Sequence, residues 1–204
     1  MVAITPTTEL AAVNLILRNM GETPINTLSG DIPLEASLAR NALLESSEHI
    51  QKRGWFFNTE YYRLSPDNRS QITLPLNTLH VECTGDSSGI PVTVRDGNKL
   101  YNMTPYHHGL TWDHPVNLMI ILGLDFEELP VSARLYIAYR TARLTQAIEV
   151  GDALTLNMNV QDETLALANL EAEQLVAEPL SLLDSPDVLA PLAKTVYGTG
   201  FIRS

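Results

Sequence analysis

Apolar residues recur at helical spacing near both ends of the chain and alternate with polar ones through its middle, so the pattern divides the sequence before any motif is sought. Leu10, Val13, Leu17 and Met20 lie three or four residues apart, and Gly21 follows as a helix stop. Thr5-Pro6 predicts the entry, with threonine as cap and proline at the first helical position. After a turn containing Pro24, Gly30 and Asp31, a second helix is predicted from about Pro33 to Arg53. Leu34, Leu38, Ala42 and Leu43 form its expected buried face, and Gly54 ends it.

The period then changes. Trp55, Phe56, Phe57, Tyr61 and Tyr62 crowd together with strand-like aromatic density. Leu79, Val81 and Cys83 alternate with His80, Glu82 and Thr84, and Val116, Leu118, Ile120 and Leu122 alternate likewise. Between them Asp96-Gly97 joins Val92–Arg95 to Asn98–Tyr101, a hairpin signal because both turn positions need positive φ. Helical spacing returns from Val131 to about Gln146, with Leu135, Ala138, Ala142 and Leu144 among its apolar positions. The acids at its entry, followed by Arg134, Arg140 and Arg143, suit a helix dipole. A last helix is predicted over about Ala153 to Glu178, with Leu154, Met158, Leu165, Ala168, Ala172 and Leu175 in one stripe; Pro179 stops it.

The expected fold class is therefore α+β: an antiparallel bundle of about four helices, an inserted antiparallel β module and an extended C-terminal tail. The bundle takes residues 1–54 and 125–178, the module 55–124, and the tail 179–204.

Composition narrows the function. The 204 residues carry 13 Lys and Arg against 24 Asp and Glu, a formal charge of −11, which disfavours a protein that grips the DNA backbone through a basic face. From Leu144 to Ala193 there is no Lys or Arg, whereas nine acids fall there, Glu149 and Asp187 included. That is a solvated acidic helix face or a surface that repels polyanions. No apolar run approaches the roughly 18 residues of a membrane span, and the N-terminus lacks a signal-peptide pattern. A soluble chain of cytoplasmic origin, with no membrane contact, is expected.

Chemistry is thinly represented. No phosphate-binding glycine loop, dinucleotide fingerprint or nucleophile elbow occurs. Cys83 and His80 sit three apart on a strand and so face opposite ways, which leaves Cys83 as a buried structural residue. His107, His108 and His114, with Asp113, form a loop that matches no helix-based zinc motif, and it reads as polar. Glu127 and Glu128 are adjacent and suit a helix entry better than a catalytic pair. The aromatic run from Trp55 to Tyr62 reads as a core seam, with base or sugar stacking as the alternative. No catalytic residue, metal ligand or cofactor is assigned.

Several segments together resemble a known family. Thr8-Glu-Leu-Ala-Ala-Val-Asn-Leu-Ile-Leu17, Met20-Gly-Glu-Thr-Pro-Ile-Asn-Thr-Leu-Ser-Gly-Asp31, Ala39-Arg40-Asn41 and Ile50-Gln-Lys-Arg-Gly-Trp-Phe-Phe-Asn58 are similar to tail tubular protein A of short-tailed, autographivirus-type phages. Asp125-Phe-Glu-Glu-Leu-Pro130, Arg134, Tyr136-Ile137 and Ala142-Arg143 continue the likeness, which covers about residues 8–178 and is thin over 65–124. The resemblance implies a non-enzymatic virion tail protein. Such proteins form an adaptor ring, typically of twelve copies, between the portal and a nozzle protein of the tail tubular protein B type. Double-stranded DNA passes transiently through the lumen during ejection. A tail-associated glycan-binding or glycan-hydrolysing protein is the alternative, and a deep cleft with two facing carboxylates beside Trp55 or Trp112 would favour it.

With that resemblance in place, two expectations attach to residues. The base-free stretch supplies Asp162, Glu163, Glu171 and Glu173 as candidate lumen lining, where acidic walls would keep DNA sliding. Leu180, Leu182, Leu183, Val188, Leu189, Val196, Tyr197 and Phe201 are too apolar for a free terminus. They are candidates for docking on the portal, or otherwise for packing on the chain's own bundle.

Overall fold

A computed structural model of the chain describes residues 7–149 and 153–177, with side chains outside 147–159. Helix α1 spans Glu9–Met20 and is capped by Thr8, whose hydroxyl accepts the Ala11 N–H at 3.1 Å. The entry thus lies downstream of Thr5-Pro6, which fall outside the described residues: Thr8 places an oxygen over an orphan helix N–H. Gly21, at φ 80°, closes the other end by donating to Arg18 and Leu17 carbonyls.

Helix α2 spans Leu34–Gln51, and its buried face differs from the expected one. Ala36, Ala39, Leu43, Ser47 and Ile50 point inward, Ala42 is half-buried, and Leu34 and Leu38 are 68% and 52% exposed. The inner face thus mixes alanines with Leu43 and Ile50, and the leucines at 34 and 38 lie outside it. Gly54 stands at φ 77°, a backbone conformation that favours glycine, where α2's exit meets Ile121 of the sheet.

The five strands are β1 (Thr59–Leu64), β2 (Thr78–Cys83), β3 (Val92–Arg95), β4 (Lys99–Asn102) and β5 (Val116–Leu122). An antiparallel sheet has the order β1-β5-β2, with Tyr62 opposite Leu118 and Cys83 opposite the same residue on the far side. The hairpin β3-β4 turns through Asp96 and Gly97, both at positive φ, as the dipeptide predicts. The aromatic run is not all strand. Trp55, Phe56 and Phe57 form a turn, and β1 begins only at Thr59.

Helix α3 spans Val131–Glu149 and α4 spans Ala153–Ala177. Helix α3 packs against α1, α2 and α4. Its arginines do not answer the dipole. Arg134 sits in the first turn, the acids of Asp125–Glu128 precede the helix, and each arginine is instead held by a specific carboxylate. The expected stripe of α4 is also turned around. Ala166 and Leu170 are buried, whereas Leu165 and Leu175 are 64% and 76% exposed and Ala168 and Ala172 face solvent; Leu154 and Met158 lie where no side chain is described.

Two buried clusters result. The helices, Trp55 and Phe126 share one, the strands and Trp112 share the other, and Leu124 packs against both. The α+β class follows directly from these elements.

Candidate interaction surface and the scaffold beneath it

The segments most similar to the phage family turn out to be structural joints. Asn14 clamps Ile25, donating to its carbonyl at 2.9 Å and accepting its N–H at 2.8 Å, so the loop after Gly21 is pinned to α1. Glu9 takes Arg40 at 2.7 Å, Glu127 accepts the Glu9 N–H at 2.8 Å, and Arg134 reaches Glu127 at 3.2 Å and the Thr7 carbonyl at 2.9 Å. Together they tie α1, α2 and α3 at one end. Arg40 is held protonated beyond its usual range, chiefly by the hydrogen bond to Glu9.

The seam between helices and sheet is carried by two buried amides. Asn58, fully buried, donates to the Gln51 carbonyl at 3.0 Å and the Leu122 carbonyl at 2.8 Å and accepts the Trp55 N–H at 2.8 Å. Gln51 accepts the Leu124 N–H at 2.7 Å and donates back to its carbonyl at 3.0 Å. These bonds satisfy groups that would otherwise be desolvated without partners. Sequence reasoning quoted Gln51 and Asn58 without giving them a role. The available signal was an amide on each side of Gly54, next to the aromatic run.

The four acids proposed for a lumen do not form one face. Glu163 is drawn inward: its side chain is 12% exposed and accepts from Arg140 at 3.2 Å and from Arg143 at Nε and Nη2. That hydrogen bond, opposed by burial, holds the Arg143 guanidinium above its ordinary range. Glu173 accepts the Ser132 hydroxyl, Glu171 meets Arg53 at 3.5 Å in solvent, and Asp162 is exposed. Asp162 and Glu173 share one side of α4, with Glu171 roughly 160–180° away. The eight apolar tail residues from Leu180 to Phe201 lie outside the described residues.

Between those acids runs the outward face of α4. Leu165, Ala168, Ala172, Leu175 and Val176 line it, all exposed. Leu175 and Val176, at 76% and 77%, are exposed far beyond what the core-facing side of a helix shows. A cleft of about 390 Å³ opens beside its end, lined by Arg53, Trp55, Phe56, Tyr61, Gln174 and Ala177 among others. A more apolar one of about 400 Å³ lies between Phe56 and Ala172, Val176 and Ala177. Arg53 lies 4.8 Å over the Trp55 ring, and the Phe56 N–H donates to Gln174 at 2.8 Å, so the end of α4 is fastened to the aromatic turn.

The other chemical candidates fall apart spatially. Both tryptophans are buried, their indoles donating to the Ile50 carbonyl at 2.9 Å and the Leu100 carbonyl at 3.0 Å, so neither offers a ring face to a sugar. Glu171, which shares a cleft with Trp55, and Glu173, which shares one with Phe56, lie two apart on a helix and diverge. His107 and His108 are exposed, and His114 contacts Asp113, whose carboxyl that hydrogen bond holds below the usual range. Among the described residues no group of three or more such side chains is placed to hold a metal. Cys83 is buried, with its thiol pushed up to about 11 by desolvation, and His80 faces the other way in solvent. Among the described residues no helix is long and apolar enough to cross a membrane.

The described scaffold is tied by buried amides and ion pairs, carries exposed apolar side chains on α2 and α4, and brings together no catalytic constellation among the described residues, a pattern that suits a structural protein. Comparison with known proteins gives the family. The family model for tail tubular protein matches residues 10–179. The tail tubular protein A of Klebsiella phage KP34 is 36% identical over 137 residues, 67% of this chain and 70% of that relative. The chain belongs to the tail tubular protein family, and it is a structural protein of the phage tail.

Proposed function

We propose that this chain is the subunit of the adaptor ring between portal and nozzle, through which DNA leaves the capsid. The observation that carries the reading is the row of exposed apolar side chains on α4 in a chain of net charge −11. A lone, highly charged monomer has no use for such a row, whereas a ring subunit buries one against its neighbour. Residues 1–54 with 125–178 act as the ring-forming unit and 55–124 as an inserted module toward the nozzle. The segment 179–204, through Leu180 to Phe201, is the portal contact.

The acidic balance suits a conduit, because a wall that neutralised phosphates would hold the duplex. Asp162 and Glu173, on one border of the apolar row, are the better lumen candidates. Glu171 lies on the opposite border, and Glu163 has its charge offset by Arg140 and Arg143. Replacing Asp162 and Glu173 with lysine should slow DNA ejection while virions still assemble; ejection at the normal rate would remove the lumen assignment. For the adaptor reading itself, light scattering of the chain mixed with its cognate portal should give one complex with many copies. Unchanged separate masses at every salt concentration would contradict it.

A further inference from the structure

Two helices of the bundle, not one, turn leucines to solvent. On α2, Leu34, Leu38 and Leu44 lie about 100–180° around the helix from the mean direction of its buried residues, at 3.6 residues per turn. On α4, Leu165, Ala168, Ala172 and Leu175 lie about 120–180° from Ala166 and Leu170. Each row therefore looks away from its own core. Among the described residues α4 packs on α3 within the bundle, whereas α2 packs on α1 and α3, so the rows leave the scaffold on different sides. Their lengths also agree. Residues 34–44 and 165–175 each cover about 15 Å of helix.

Charge decides how such rows can be covered by another copy. Residues 160–177 carry four acids and no base, and of these only Glu163 has its charge offset within the bundle by two arginines. An α4 laid on another α4 would set Asp162, Glu171 and Glu173 against the same acids, and such like-charge contacts are strongly unfavourable. Residues 34–52 of the α2 side carry three acids and two bases, Arg40 and Lys52, which is the milder partner. An α4–α4 contact would also leave the α2 leucines in water. A contact of α4 on α2 covers both rows at once, and because the two surfaces differ it repeats from copy to copy, as a ring requires.

We propose that the outward row of α4 packs on the outward leucines of α2 in the next copy, head to tail around the assembly. The pairing rests on the ring reading above and names the surface that takes the row.

The test places Asn41→Cys on the α2 row and Ala172→Cys on the α4 row of the full chain, singly and together. Both positions are exposed, and both changes leave the leucines in place. Packed helices lie about 8–10 Å apart, a gap that a short flexible bismaleimide spans. Cys83 stays silent because it is buried and its thiol is held protonated. With cognate portal present, the double variant should give a ladder of covalent multimers on a denaturing gel. Each single variant should stay monomeric, and an equal mixture of the two should stop at dimers. A portal complex whose double variant shows no ladder would overturn the pairing and leave the adaptor reading standing. Dimers of Ala172→Cys alone would overturn it too, since α4 would then meet α4, as would a product joining Ala172→Cys to portal. Failure of the unsubstituted chain to join portal at all would contradict the adaptor reading, and the pairing with it.

Discussion

The helical core mixes alanines with large side chains such as Ile16, Leu43, Ile137 and Leu170, whereas the β core buries almost none of its small residues. Among the helices the buried positions include Ala12, Ala36, Ala39, Ala133, Ala138, Ala142 and Ala166, while Leu34, Leu38, Leu165 and Leu175 face outward. In the β cluster Ile72, Leu100, Val116, Leu118 and Ile120 are all fully buried, while Tyr61 on β1 is 72% exposed. Small residues inside let helices approach closely at the loss of hydrophobic burial per position, and the large side chains left outside are available to a partner. The middle strand β5 buries Val116, Leu118, Ile120, Ile121 and Leu122, whereas α4 leaves Leu165, Leu175 and Val176 in solvent. Asn58 and Gln51 are the joint between the two buried clusters.

The contrast can be broken most sharply inside the β core. Leu118→Ala should cost about 3 kcal/mol in urea unfolding, since the side chain is fully buried at the centre of the middle strand. A loss below about 1 kcal/mol would mean that the sheet is not a packed core. Asn58→Ala comes next at about 2 kcal/mol, because it leaves the Trp55 N–H and two carbonyls without their partner. It should also make the two cores unfold separately in calorimetry.

A pH effect follows from Cys83. Its folded thiol titrates near 11, above the ordinary value of 9.0, so the unfolded chain releases the proton first. The contribution is complete below about pH 9 and is lost as pH rises toward 11. Cys83→Val should flatten that part of the stability–pH curve relative to the parent chain, and an identical slope would contradict the buried thiol. The smallest effect on folding belongs to the outward row. Leu165→Ser/Leu175→Ser should change the free energy of urea unfolding by no more than about 0.5 kcal/mol per site.

Those differences also explain what was legible in the sequence. Strands declared their inner face because a period of two leaves one choice, and Val81, Cys83, Leu118 and Ile120 fell where alternation put them. The Asp96-Gly97 turn was equally readable because few residues accept positive φ there. Helix faces were misjudged for α2 and α4, since hydrophobic periodicity weights leucine over alanine and cannot tell a core stripe from an interface stripe. Glu163 looked like a free acid because Arg140 and Arg143, its partners, belong to the preceding helix and lie 20 or more positions away. The joint at Asn58 depends on Leu122, 64 residues on, and no local pattern encodes it.

The account's central claim is that the outward helical faces exist for assembly. Its most direct measurement is the mass, by light scattering with cognate portal, of the parent chain and of Leu165→Ser/Leu175→Ser at matched folding stability. The account predicts a discrete many-copy complex for the parent chain and failure to complete it for the variant. A variant that assembles as fully as the parent would contradict it.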